Sequence, residues 1–161
     1  MYDVLRLAEQ FEIDGFKFYT SKKNEVKNKT VAEIFDYLAQ MEKEHTEFIR
    51  RLIKSLEEGA QIDSLPEQDT KYYKSRYERQ KISETSPEDD VYDLSILRMA
   101  YLIEKDFMEF YEKAANNEKD ERVKKLLLVL RDWEEGHKRI IEEEIKSILE
   151  RNNLELGFYP F

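Results

Sequence analysis

Two stretches of this chain, Met41-Glu42-Lys43-Glu44-His45 and Trp133-Glu134-Glu135-Gly136-His137, contain its two histidines, each three positions after a glutamate. On an α-helix, positions i and i+3 share a face one turn apart, so each pair can aim a carboxylate and an imidazole at one point. Thirty residues before each of those glutamates stands another, Glu12 before Glu42 and Glu104 before Glu134. The six residues Glu12, Glu42, His45, Glu104, Glu134 and His137 are therefore one pattern used twice, 92 positions apart. If roughly one position in six were Glu, such a coincidence would arise on the order of once in a thousand chains. Four inward carboxylates with two Glu-x-x-His imidazoles are the ligand set of a di-iron or di-manganese four-helix bundle.

This pattern demands long helices, and the composition suits them. Among 161 residues there are 4 Gly and 3 Pro, 39% of residues are charged and 40% are hydrophobic. That mixture fits solvent-laced helices rather than a sheet with many turns, and the length fits one domain spanning 1–161. A net charge of −9 argues against a nucleic-acid partner, because phosphate neutralisation needs a basic face. No cysteine is present, so disulfides, zinc ribbons and iron–sulfur clusters held by these residues are excluded. No basic-then-apolar leader opens the chain and no apolar run approaches a membrane span, so a cytoplasmic protein with no membrane partner is expected.

Helical periodicity places four elements. Leu5, Ala8, Phe11, Glu12, Phe16 and Tyr19 share a face of a helix over about 2–26, with Gly15 inside it offering room for a close neighbour. If Glu12 and Glu42 face each other across an antiparallel pair, the reversal falls near residue 27. Thr30-Val31-Ala32-Glu33 nearby is a capping box. Helix 2 is expected over about 30–58, ending at Gly59. Ser86-Pro87-Glu88-Asp89 is a strong start for helix 3, about 87–116. Asn116-Asn117 and Asp120 mark the second reversal, near the midpoint of Glu104 and Glu134, before helix 4 at about 120–151.

The apolar residues repeat with the same offset. Phe18 and Tyr19 match Phe110 and Tyr111, and Val31, Leu38, Ile49 and Ile53 match Val123, Leu130, Ile141 and Ile145. Two copies of a helical hairpin, joined by a long crossover over about 59–86, make an antiparallel four-helix bundle. Within the crossover, Thr70 to Glu84 reads as a polar helix carrying Tyr72, Tyr73 and Tyr77. The tail from Asn152 to Phe161 reads as a cap on the bundle or on a subunit interface.

Four glutamates balance the four charges of two ferrous ions, which makes burial of the loaded site tolerable where the bare carboxylates would repel or protonate. Mixed imidazole and carboxylate ligation suits two iron ions, with manganese also possible. Tyr19 and Tyr111 lie two turns beyond Glu12 and Glu104, from where they can donate hydrogen bonds to ligating carboxylates of a neighbouring helix. The alternative is a pair of core aromatics with hydroxyls at the surface. Trp133 and Met41, one before each paired glutamate, read most simply as fillers of core space.

On these residues the chain resembles the rubrerythrin-like (erythrin) branch of the ferritin-like di-iron carboxylate proteins. Glu12, Glu42-x-x-His45, Glu104 and Glu134-x-x-His137 match its ligand positions one for one over about 2–58 and 87–151. The resemblance implies an all-α ferritin-like bundle and reduction of hydrogen peroxide, with electrons from a rubredoxin-type iron centre on four cysteines. Having none, this chain would need a separate donor protein. The resemblance also implies a further glutamate three residues after the first of helix 3, towards which one iron moves on redox change; here that position is Phe107. The remaining set of four Glu and two His is that of bacterioferritin-type ferroxidase centres and demethoxyubiquinone hydroxylases. An oxidoreductase consuming peroxide or dioxygen is thus expected, with iron handling, hydroxylation and a metal-free structural bundle as alternatives. A homo-oligomer, in the simplest case a dimer, is expected. Phe107, one turn after Glu104, is expected to border the metal pocket.

Overall fold

The apolar stripes of the sequence become four helices in the computed structural model, which describes residues 2–59 and 85–153. They are α1 (Tyr2–Lys22), α2 (Lys29–Glu57), α3 (Pro87–Asn117) and α4 (Glu121–Arg151). The expected crossover helix with Tyr72, Tyr73 and Tyr77, and the tail after Asn153, lie outside the described residues. Helix α1 packs along α2 and α3 along α4, giving two hairpins. Tyr19 of α1 reaches Glu104 of α3, and Tyr111 reaches back to Glu12, so α1 and α3 run antiparallel. Contacts of His45 with Glu134 and of His137 with Glu42 make α2 and α4 antiparallel too. The chain consequently leaves α2 at one end of the bundle and enters α3 at the other. This is the ferritin-like antiparallel four-helix bundle with a long crossover.

Local chemistry sets the ends of these helices. Ser86 caps α3 by accepting a hydrogen bond from the Asp89 N–H, with Pro87 in the first turn. Asp120 caps α4 through the Arg122 N–H at 2.9 Å. Gly59 follows α2 with φ of +66°, a left-handed residue where a side chain would be strained. Two expectations for the first reversal need correction. Helix α1 stops at Lys22 rather than near residue 26, and the cap of α2 is Asn28 rather than Thr30, whose N–H donates to the Asn28 side chain at 2.8 Å. The cause lies in the other hairpin. The buried Asp93 carboxylate of α3 accepts from the Lys27 N–H at 2.8 and 3.1 Å and from the Asn28 N–H at 2.7 Å, which pins the turn one step early. Beside it Asp90, also buried, is paired with Arg151 and hydrogen-bonded by Thr85 at 3.0 Å and Asn152 at 2.7 Å.

The core is divided in two. One apolar cluster fills the end near the first reversal, with Tyr19, Phe35, Leu38, Leu97, Ile141 and Ile145 among its members. A second fills the other end, with Leu5, Ile49, Leu52, Tyr111, Leu127 and Leu130. Along every helix the candidate ligands fall between the two clusters. The six polar residues therefore form one buried layer at mid-height, closed above and below by close-packed hydrocarbon. Among the described residues, no helix is long and apolar enough to cross a membrane.

Candidate metal centre

All six residues singled out in the sequence meet in that layer. Glu12, Glu42, Glu104 and Glu134 are 0% exposed, His45 6% and His137 5%. Four buried carboxylates with so little access to water would be untenable as bare charges. Their donor atoms fall into two groups. His45 Nδ1 lies 3.0 Å from Glu12 Oε2, 3.5 Å from Glu42 Oε2 and 3.6 Å from Glu134 Oε1. His137 Nδ1 lies 3.3 Å from Glu42 Oε1, 3.4 Å from Glu104 Oε2 and 3.6 Å from Glu134 Oε2. Glu42 and Glu134 thus offer one oxygen to each group, whereas Glu12 and Glu104 each serve one.

Whether this set suits a cation can be judged from its hydrogen bonding. Both oxygens of Glu42, both of Glu134, Glu104 Oε2 and His137 Nδ1 are buried without a hydrogen-bond partner, although opposite-type atoms stand within 3.6 Å. Buried polar atoms are nearly always bonded, so six orphans in one layer call for a common partner. Ligand atoms about 2.1 Å from a shared cation lie about 3.0 Å apart across a right angle and about 3.4 Å across a tetrahedral one. The observed separations of 3.0 to 3.6 Å match that spacing. Glu42, His45, Glu134 and His137 each bring one donor atom within 4.8 Å of the others. The residues present fit a metal.

Protonation in the metal-free layer follows from the same geometry. Burial works against charge on every carboxyl. At Glu12 it is overruled by the His45 imidazole and by hydrogen bonds that include Tyr111, and the carboxyl falls to about 2. At Glu104 burial is likewise overruled, first by His137, and the carboxyl lies below its usual range. At Glu42 and Glu134 burial and the charges of neighbouring glutamates act together and push both well above that range. Burial would lower His137, but Glu104 and its other carboxylate neighbours raise it well above the ordinary imidazole value. The layer holds protons where a cation would replace them, so metal binding must release protons.

The tyrosines complete the layer from across the bundle. The Tyr19 hydroxyl donates to Glu104 Oε1 and the Tyr111 hydroxyl to Glu12 Oε1, each a tyrosine of one hairpin serving a carboxylate of the other. Both rings are 0% exposed, so the alternative with hydroxyls at the surface is not what the structure shows. Burial first, then the neighbouring carboxylate, keeps both phenols protonated and able to donate.

Three neighbours make contacts that spacing along one helix does not specify. Phe107 turns its half-buried ring onto Phe11, with centres 4.9 Å apart and planes within 4°, in an aromatic layer that Phe110 joins edge-on. It packs as an ordinary aromatic against Phe11 of α1. Trp133 does more than fill space, because its indole lies flat on the His45 ring at 4.3 Å. Gly15, expected to offer room for a close neighbour, admits the Glu42 side chain of α2. A Cβ there would stand 3.2 Å from Glu42 Cδ and 3.3 Å from its Cγ and Oε1.

Comparison with known proteins agrees with this arrangement. The family model for rubrerythrin matches residues 3–145, a span that contains all six residues. The chain belongs to the rubrerythrin family. A solved hypothetical protein from Pyrococcus furiosus is similar to it, with 25% sequence identity over 92% of this chain and 89% of that one and a TM-score of 0.65. No curated protein matches. Family and donor set together point to a metal-binding, di-iron type of centre on a ferritin-like bundle.

Proposed function

We propose that this rubrerythrin-family chain is a di-iron oxidoreductase whose two ions are oxidised by hydrogen peroxide or dioxygen. The single observation that carries this reading is the pair of four-atom donor groups sharing Glu42 and Glu134 through separate oxygens. Glu12 and His45 complete one group, and Glu104 and His137 the other. A ferrous pair bound there supplies the two electrons that reduction of peroxide to water takes. Tyr19 and Tyr111 hold Glu104 and Glu12 in fixed orientations and keep their protons while doing so. The two apolar clusters exclude water above and below, which strengthens the electrostatics inside. Because the chain has no cysteine, electrons come from a donor beyond these residues, such as a rubredoxin-type protein. Manganese is the alternative metal on the same oxygen-rich donors. Cytoplasmic location and a homodimer complete the proposal.

A second reading, a ferroxidase that handles iron, is favoured by one observation. Phe107 stands where the peroxidase pattern has an extra glutamate, and its ring is engaged with Phe11. With no carboxylate there to receive a displaced ion, a histidine ligand would have no competitor for that ion in either oxidation state. Anaerobic loading with ferrous iron, elemental analysis, and stopped-flow oxidation by each oxidant test both readings. About two irons per chain and oxidation by both oxidants at comparable rates are expected. A strong preference for peroxide, matching a rubrerythrin measured alongside, would return the chain to the dedicated peroxidases. No bound metal, with His45 and His137 replaceable without effect, would leave a structural bundle.

A further inference from the structure

The 92-residue repeat breaks at two positions that touch the centre, and the breaks fall on opposite halves of it. The residue before the shared glutamate is Met41 in the first hairpin and Trp133 in the second. The Trp133 and His45 planes lie within 16° of each other, and Phe48 holds the indole edge-on at 5.4 Å. His45 also stacks on His137, with centres 5.1 Å apart and planes within 6°, so it engages two α4 rings one turn apart. Its Nδ1 is further tied to Glu12 at 3.0 Å, whereas His137 Nδ1 has no hydrogen bond. The second break is three residues after the first glutamate, Gly15 against Phe107. The Glu42 oxygen beside Gly15 is Oε1, the one that faces His137.

These contacts have different physical consequences. A ligand imidazole that can rotate must lose that freedom when it coordinates, and a flat aromatic partner removes the freedom beforehand. A carboxylate beside a residue with no Cβ can shift by a few tenths of an ångström without collision. We propose that Trp133 is a positioning residue that fixes the His45 half of the centre, while Gly15 leaves Glu42 room to move in the His137 half. The centre then has one rigid side and one adjustable side, and adjustments of coordination fall on His137 and Glu42. This rests on the two-ion reading above.

With only two histidines in the chain, ¹⁵N-labelled imidazole spectra resolve each ring. Zinc serves as a diamagnetic probe. The comparison is wild type, Trp133→Phe, which keeps a flat ring, and Trp133→Leu. Trp133→Met, which copies the first hairpin, is the second variant should leucine prevent folding. In metal-free protein, His45 should give one narrow set of signals in wild type and Trp133→Phe. It should be broadened at least about twofold or split without the aromatic ring, while His137 is unchanged. On zinc titration the aliphatic variants should bind one of two equivalents about tenfold more weakly, with the other within about twofold, and phenylalanine should restore both. His45 signals as narrow in Trp133→Leu or Trp133→Met as in wild type, or equal weakening of both equivalents, would overturn the proposal. If zinc moved neither imidazole signal in wild type, the metal reading itself would fall, and the metal-free spectra would still decide what Trp133 does to His45.

Discussion

Gly15 sits inside α1, where alanine is better than glycine by about 1 kcal/mol, so helix propensity alone makes Gly15→Ala stabilising. The added Cβ would meet three Glu42 atoms at 3.2 to 3.3 Å, so the carboxylate must retreat by a few tenths of an ångström. In metal-free protein that retreat breaks no hydrogen bond, since neither Glu42 oxygen has one. The variant should therefore keep most of the gain and melt about 2–4 °C higher without metal. Coordination is less forgiving. Ligand distances tolerate about 0.2 Å, and Glu42 presents an oxygen to each half of the centre, so affinity should fall roughly tenfold, or about 1.4 kcal/mol. Because metal stabilises only through the folded state, the rise in melting temperature on loading should shrink by the corresponding amount. Calorimetric melts of both proteins, metal-free and with saturating manganese, read both effects. A metal-induced rise equal to that of wild type would show that Glu42 does not coordinate from the position it holds here.

Tyr19→Phe and Tyr111→Phe each remove a donor to a buried carboxylate of the opposite hairpin, which should cost about 2 kcal/mol in urea unfolding of the metal-free protein. Equal stability would mean that another donor replaces the hydroxyl. Glu42→Ala should abolish most of the melting shift produced by iron, and an unchanged shift would place the iron elsewhere. Asp90 gives a pH signature away from the centre. Burial would raise its pKa, but bonds from Arg151, Asn152 and Thr85 bring it from 3.8 to about 2. A depressed folded pKa stabilises above the unfolded value, so about 2 kcal/mol is present above about pH 4 and lost as pH falls towards 2. Asp90→Asn should be less stable by that amount at neutral pH, with the gap to wild type closing between about pH 4 and 2. A gap that stays constant through that range would refute the assignment.

The parts of this molecule legible in the sequence are those fixed by short-range periodicity or by the repeat. Glu12, Glu42, Glu104 and Glu134 interrupt apolar stripes at matching turns, so their inward placement follows from spacing within single helices. The reversals fall midway between paired glutamates because antiparallel neighbours have no other choice. What stayed hidden depends on contact between hairpins. Thr30 and Asn28 are both competent caps, and Asp93, 65 positions away, decides between them. No pattern within α3 marks Asp90 and Asp93 as buried; Asp93 is covered by the first reversal, and Asp90 is engaged by Thr85 and by Arg151 and Asn152 at the end of α4. Trp133 and Met41 occupy one repeat position, and no pattern within α4 could say that the indole meets a ring of α2. The partner of Phe107 was hidden for a related reason. Its position on α3 was right, but the Phe11 ring it joins belongs to α1.

The exchange of tyrosines between hairpins has a consequence for symmetry. Each hairpin contributes two glutamates, a histidine and a tyrosine, and the tyrosine serves the other hairpin's carboxylate. Two copies of either hairpin, docked about a true two-fold axis, would offer the same inventory of side chains. Such a pair of identical chains would be obliged to match at every position, with a tryptophan beside both histidines or beside neither. A single continuous chain carries no such obligation. Joining the halves permits Trp133 to stand opposite Met41 and Gly15 opposite Phe107, differences that identical subunits could never acquire one side at a time.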